Sequence, residues 1–246
     1  MAGHSHWAGI KHKKKLVDAK RGKLFSKLAK KIIVAARHGG GDPTGNSTLA
    51  LAIEKAKAAN MPKDNIRRAI KRGTGELGGS EILELTFEGY GPGGVAIMVE
   101  AATDNKNRTL PEIRKIFEKR GGNLGTTGCV RHVFQRRGLI RIDASKAEED
   151  AVLEAVLEAG ADDMVKEGDF YDIFTGPTEL FKVRKALEEQ GLTIESAELS
   201  NLPTITVKLD EEVGRRLLVL IEEIEDHDDV QNLYANFDLP ESLFAE

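Results

Sequence analysis

The sequence predicts an α+β protein of several domains, with a helical part first and mixed helices and strands after it. Up to residue 75, apolar residues recur every three to four positions, which is typical of amphipathic helices. Beyond that point they alternate, and residues 139–200 give the order strand, helix, strand, strand, helix, strand. That order is the ferredoxin-like plan. The 246 residues, 40% of them apolar, allow one to three packed domains.

Three helices are predicted in the first 75 residues. The first covers Lys23–His38 and ends at Gly39–Gly41, where glycine favours helix termination. The second covers Thr48–Ala59, with Ser47 as its N-cap. The third covers Pro62–Arg72, with proline in the first turn. We expect the three helices to share one apolar core and to turn their basic faces outward.

The next segment contains two strands and one helix. The strands are Ile82–Glu88 and Val95–Ala102, joined by a glycine-rich turn. Thr109 and Glu112 form a capping-box pattern that opens a helix running to Arg120. This segment has too few strands to complete a sheet with a covered face.

The C-terminal segment is also incomplete, since it supplies only a strand, a helix and a strand. We therefore predict three domains: a basic helical domain at 1–75, a discontinuous α+β domain at 76–131 plus 203–246, and an inserted acidic βαββαβ domain at 132–202. Both α+β domains are predicted to be ferredoxin-like, one inserted in the other. An independent C-terminal hairpin and helix is the alternative.

The formal net charge of −4 hides a strong separation of charge along the chain. Residues 1–75 contain 18 Lys and Arg against 4 Asp and Glu, whereas residues 139–246 contain 9 against 28. A basic end of this kind indicates contact with nucleic acid or an anionic membrane surface. The alternative is that the charges only keep the protein soluble. It leaves the mutual repulsion of the N-terminal cations without an anion to offset it.

Several classes of protein are disfavoured. No apolar run approaches the roughly 18–20 residues that span a bilayer, and no apolar segment of a signal peptide follows the basic Met1–Lys15. The lone Cys129 cannot form an intrachain disulfide, which fits a reducing compartment. We expect a soluble cytoplasmic protein. No heptad pattern demands a partner helix, so a monomer is expected.

Three motifs resemble chemical sites and are rejected. Gly89–Gly94 fits a dinucleotide fingerprint, but a strand follows it instead of the helix that would hold the pyrophosphate. Gly40–Ser47 has P-loop spacing, yet Asn46 replaces the lysine that contacts the phosphates. The histidines near the N-terminus and His227 among carboxylates are not read as metal sites. We expect no enzymatic activity, no cofactor and no small-molecule substrate.

The candidate nucleic-acid contacts are the cations of the helical part. A run of cations binds a phosphate backbone favourably because binding releases the counterions of the phosphates. The first run comprises Lys11, Lys13, Lys14, Lys15, Lys20, Arg21, Lys23, Lys27, Lys30, Lys31 and Arg37. The second run comprises Lys63, Arg67, Arg68, Lys71 and Arg72. Trp7 could stack on an unpaired base or pack in a core. Nothing in the pattern indicates base-specific readout, so the residues do not choose between DNA and RNA.

The acidic domain is expected to avoid nucleic acid or to dock a basic protein. Its Phe170, Tyr171 and Phe174 lie where an RNA-recognition sheet carries aromatics, but the surrounding charge is negative and we interpret them as core residues.

Several long motifs resemble those of one known family. They are Met1–Trp7, Ile10–His12, Asp18–Lys23, Ala58–Asn65, Ala69–Gly73, Glu88–Gly94 and Gly121–Gly125. The chain is similar over almost its whole length to YebC-type proteins, commonly labelled probable transcriptional regulators. Cys129 stands where the family usually has serine, and Arg131 and His132 replace a more neutral pair.

The resemblance implies a cytoplasmic bacterial protein of three domains without a cofactor. Some members are described as DNA-binding transcription factors, mitochondrial relatives activate translation of a cytochrome oxidase subunit, and bacterial relatives have been tied to ribosomes. We therefore expect a non-enzymatic DNA-binding transcriptional regulator that uses its N-terminal domain. A ribosome- or rRNA-associated translation factor is the alternative, and a protein-only adaptor is a third possibility.

Overall fold

The computed structural model describes residues 19–240 and residue 243, with side chains from residue 22 onward. Within this range the contacts divide the chain into two compact units. Residues 134–204 form the smaller unit, and the residues before and after them form the larger one. The α+β class predicted from the sequence is confirmed. The division into three domains stays a prediction.

The larger unit begins with three helices: α1 (Ala19–Gly39), α2 (Ser47–Ala58) and α3 (Lys63–Gly73). Ile32, Leu49 and Ile66 lie in their shared core, as the apolar spacing predicts. The predicted N-cap of α2 is wrong by one residue. Asn46 is the cap, because its side-chain oxygen accepts from the Leu49 N–H while its amide donates to the carbonyls of helix α1 and the following turn.

A four-stranded antiparallel sheet follows, made of β1 (Leu83–Tyr90), β2 (Ala96–Thr103), β3 (Asn123–Leu124) and, from near the C-terminus, β9 (Val230–Ala235). The strand order across the sheet is β3-β1-β2-β9. Between β1 and β2 lies a short 3-10 turn at Pro92–Gly94, so β2 and not a helix follows the glycines. The strand predicted to follow these glycines is confirmed.

Helices α4 (Lys106–Lys119) and α7 (Glu211–Glu225) belong to the same sheet domain. Because β2 and β3 are both antiparallel to β1, they are parallel to each other and α4 joins them as a crossover. This spatial arrangement matches the ferredoxin-like sheet, but the chain order differs. The central strand β1 comes before β2 in the sequence, whereas the corresponding strand of the ferredoxin-like plan would come after β3. The first strand predicted for the C-terminal segment is reduced to β8 (Val207–Lys208), which pairs in parallel with β10 (Phe237–Asp238).

The start of α4 differs from the prediction. Asn105 caps the helix by accepting from the N–H groups of Asn107 and Arg108. Thr109, predicted as the cap, is fully buried inside the first turn. Its hydroxyl is already committed to a carboxylate from the far end of the chain, as described below.

The smaller unit has the predicted element order. It comprises β4 (Phe134–Asp143), α5 (Glu149–Ala159), β5 (Asp163–Glu167), β6 (Phe170–Thr175), α6 (Leu180–Glu189) and β7 (Ile194–Pro203). The strand order β5-β6-β4-β7 is antiparallel throughout, as a ferredoxin-like sheet requires.

Two charged residues are buried in this smaller sheet. Arg141 on β4 and Asp172 on β6 face each other and form a bidentate ion pair, with distances of 2.7 and 2.8 Å. The predicted core position of Tyr171 is confirmed, and Phe174 is also buried, whereas Phe170 is half-buried. The ring of Phe170 lies 5.2 Å from the Arg141 guanidinium carbon.

Candidate nucleic-acid interface

The basic face of helix α1 contacts protein. Lys23 donates to the carboxylate and carbonyl of Asp226 at 3.1 and 3.3 Å, and Lys27 donates to the Glu225 carbonyl. Lys30 forms an ion pair with Asp229, and Lys31 donates to the Asn232 side chain at 2.9 Å. The acceptors of Lys23, Lys27 and Lys30 lie at or just after the end of α7, where the free carbonyls of a helix already attract cations, whereas Asn232 lies on β9.

This arrangement corrects one expectation from the sequence. We expected the lysines of α1 to point outward, but Lys23, Lys27 and Lys30 contact the end of α7 and the turn after it, and Lys31 contacts β9. Arg37 is engaged too, since it lies 3.1 Å from Glu81 and 3.7 Å from Glu84. The acidic residues near the C-terminus thus neutralise part of the N-terminal charge within the molecule. We therefore leave these five residues out of the interface proposed below.

Asp229 is the centre of the contact. Its carboxylate is 2% exposed and accepts from Lys30, from the Arg108 guanidinium at 2.8 Å and from the Thr109 hydroxyl at 2.7 Å. Burial alone would raise the pKa of Asp229, but the hydrogen bonds from these three donors hold that pKa well below its ordinary value. Asp229 therefore stays ionised and links α1, α4 and β9.

The turn is also ordered by a histidine. The backbone N–H of Asp229 donates to His227 Nδ1 at 3.1 Å, and His227 Nε2 lies 3.0 Å from Glu112. A ring nitrogen that accepts a backbone N–H carries no proton, so the proton sits on Nε2. The side chain of His227 is only 12% exposed, although its sequence neighbours are mostly carboxylates.

Helix α3 presents its cations differently. Ile66 and Ala69 are buried against the other helices, while the opposite face is exposed to solvent. The exposed cations of α3 are Lys63, Arg67, Arg68 and Lys71. Arg67 is 3.6 Å from Asp64 and Lys71 is 3.8 Å from Glu76, both loose pairs in which every side chain is about half exposed or more. Exposed ion pairs of this kind contribute little to stability, so these cations remain available to a ligand.

The last cation of this run has a structural role. Arg72 is half-buried and donates to the Ser80 carbonyl at 2.9 Å, so it holds the segment that follows α3. Lys57 on α2, which lies outside both basic runs, is also exposed.

Part of the predicted interface lies outside the described residues. These residues are Trp7, Lys11, Lys13, Lys14 and Lys15; the side chains of Lys20 and Arg21 are likewise not described. Their roles in binding stay predictions.

Comparison with known proteins now identifies the family. A family profile described as "TACO1/YebC protein N-terminal domain" matches residues 5–76, and one described as "TACO1/YebC second and third domain" matches residues 82–237. The chain belongs to the TACO1/YebC family. The resemblance seen in the sequence motifs is therefore confirmed.

Several TACO1/YebC relatives are similar from end to end. A protein of Sulfurihydrogenibium sp. is 54% identical over 100% of this chain and 99% of its own length, and one of Natranaerobius thermophilus is 55% identical over 99% and 98%. Both carry the name "Probable transcriptional regulatory protein". The crystal structure of a conserved hypothetical protein from Aquifex aeolicus matches with a TM-score of 0.89 and 49% identity, covering 98% of this chain and 100% of its own.

Two further observations concern the described residues alone. No helix among them is long and apolar enough to cross a membrane. No group of three or more His, Cys, Asp or Glu side chains among them is arranged to hold a metal ion.

Cys129 is a free thiol whose pKa is raised by burial and by the nearby Glu88 carboxylate.

Proposed function

We propose that this TACO1/YebC protein is a non-enzymatic regulator of gene expression that binds nucleic acid, and that it acts as a DNA-binding transcriptional regulator. The observation that carries the proposal is the exposed cationic face of α3. Lys63, Arg67, Arg68 and Lys71 point to solvent from a helix whose other face is anchored in the core. The relatives' shared name supports the regulatory role.

The proposed contact is mainly with phosphates. Lysine and arginine side chains on one short helix neutralise a backbone without reading bases, and Asn65 is the one exposed amide on α3 that could contact a base edge. The interface is narrower than the sequence suggested, because the lysines of α1 already have acceptors within the protein.

A ribosome- or rRNA-associated translation factor is the second candidate. The same α3 face favours it, because cations without a base-reading pattern fit folded RNA as well as duplex DNA. In-cell crosslinking followed by sequencing of both DNA and RNA separates the two. Discrete promoter sites support the transcriptional role, and enrichment of ribosomal RNA supports the translational one.

The interface itself is tested by replacing Lys63, Arg67, Arg68 and Lys71 with alanine in the full chain. Affinity for both a duplex DNA and a structured RNA should fall, and the slope of log K against log salt should flatten by about 0.9 for each lost contact with duplex DNA. The readout is a fluorescence titration at several salt concentrations.

The matched control removes the same amount of positive charge elsewhere. Lys182, Lys185, Arg215 and Arg216 are exposed and each lies within 4 Å of a carboxylate on or next to its own helix. Replacing these four with alanine should leave the salt slope unchanged. Equal effects of the two sets would attribute binding to net charge and would remove the α3 interface.

A further inference from the structure

Helix α5 of the smaller unit has an unusual surface. Its eleven residues include four carboxylates and no lysine or arginine. Val152, Ala155, Val156 and Ala159 form its buried stripe against the sheet. The outward face carries the remaining side chains, and two of these are leucines.

Leu153 and Leu157 are 43% and 69% exposed. They are four residues apart, so they lie side by side on one face of the helix. Single exposed leucines are common on protein surfaces, but an adjacent pair forms an apolar ridge. Among the described residues Leu157 is the most exposed large hydrophobic side chain.

Carboxylates border this ridge. Asp150, Glu154 and Glu158 are exposed beside the two leucines. Asp150 and Glu154 have no hydrogen bond or ion pair within the described part of the chain, whereas Glu158 accepts from Gln190. By contrast, the cations of the neighbouring helix α6 are paired with glutamates on or next to that helix. The ridge therefore has a negative rim that is not neutralised.

The surrounding unit has the same sign of charge. Residues 134–204 contain 8 Lys and Arg against 16 Asp and Glu. A nucleic acid or an anionic membrane would be repelled by this surface, while a cationic protein segment would be attracted to it. Two leucines would supply the desolvated centre of such a contact and the carboxylates its polar rim.

We propose that the α5 face, defined by Leu153, Leu157, Asp150, Glu154 and Glu158, docks a basic amphipathic helix of a protein partner. The apolar side of that helix covers the two leucines, and its lysines or arginines meet the carboxylates. This inference goes beyond nucleic-acid binding, since α5 belongs to a different part of the chain from the α3 face.

The test uses the full chain and a synthetic 14-residue peptide of leucine and lysine in which the leucines lie on one helical face. Binding is measured by fluorescence anisotropy. The double variant Leu153→Ala, Leu157→Ala should weaken binding about tenfold or more, and Asp150→Lys with Glu154→Lys should weaken it further. A peptide of the same composition with scattered leucines should bind weakly to all variants.

Val219→Ala is the control, because Val219 is also 43% exposed but lies on α7. It should leave peptide binding unchanged. Equal binding by the parent and the double leucine variant, or by the ordered and scattered peptides, would overturn the proposal. A dimer in light scattering that the leucine variant dissolves would assign the ridge to a second copy instead. If the double leucine variant also lost nucleic-acid binding, the α5 face would not be a site separate from the α3 face, and the proposal would be contradicted.

Discussion

Lys30 and Asp229 form an ion pair across 199 positions of sequence, and this pair joins the N-terminal helices to the sheet domain. The carboxylate is almost fully buried, and the lysine side chain is 18% exposed. Arg108 and Thr109 contribute two further hydrogen bonds to the same carboxylate. Some of the N-terminal cations, which the composition predicts to bind a polyanion, thus stabilise the contact between parts of the protein itself.

The first prediction concerns the loss of this carboxylate. Asp229→Asn should lower the free energy of unfolding by about 3–5 kcal/mol, because it leaves the Lys30 and Arg108 charges without their shared partner. Urea unfolding measures the effect. Asp228→Asn is the control, since the Asp228 side chain is 64% exposed and should matter by about 0.5 kcal/mol or less. Equal effects of the two substitutions would show that Asp229 is not the central residue.

The second prediction concerns pH. The native pKa of Asp229 is lowered, so this carboxylate contributes stability that is fully present above its unfolded pKa of about 3.9 and is lost as pH falls towards its native pKa. The difference in stability between the parent and Asp229→Asn should therefore be constant near neutral pH and shrink below about pH 4. Urea midpoints measured from pH 7 to pH 3 test this. A difference that stays the same over that range would contradict the assignment.

These contacts also show what the sequence could and could not predict. The buried positions of Ile32, Leu49 and Ile66 follow from local periodicity, and so does the whole element order of residues 134–204. Periodicity reports which side of an element is buried, but it does not report which element covers a polar side chain.

The partner of Lys30 is one contact that periodicity could not predict. The C-terminal half of the chain contains 28 carboxylates, and nothing local distinguishes Asp229 from the rest. Thr109 misled for a related reason, since a capping pattern and a hydrogen bond to a distant carboxylate use the same hydroxyl. Complementary charge between α1 and residues 225–229 was visible, but only the fold brings the two together.

The third prediction concerns Arg141 and Asp172. Both are buried and form two parallel hydrogen bonds, so Asp172→Asn should cost about 3–5 kcal/mol by leaving the guanidinium unpaired. The double variant Arg141→Met, Asp172→Leu removes both charges and should cost much less than the single one. A double-mutant cycle in urea supplies the comparison. Additive losses would mean that the two side chains stabilise the sheet independently of each other.

The fourth prediction separates the structural lysines from those proposed to bind. Lys30→Met removes a cation that already has a protein acceptor, so unfolding free energy should fall by about 1–3 kcal/mol. Its affinity for a duplex DNA should stay close to that of the parent. Lys63→Met removes an exposed cation from the α3 face, so stability should be unchanged within about 0.5 kcal/mol.

For Lys63→Met the change should appear in binding. The salt slope for duplex DNA should flatten by about 0.9, as expected for one lost phosphate contact. Unfolding and titration are measured on the same preparations, so a misfolded sample cannot imitate a binding defect. If Lys30→Met weakened binding as much as Lys63→Met and left stability intact, then α1 would have to release the turn at residues 225–229 and offer its lysines to nucleic acid. That result would restore α1 to the interface and would make the Lys30–Asp229 pair a competitor of the ligand.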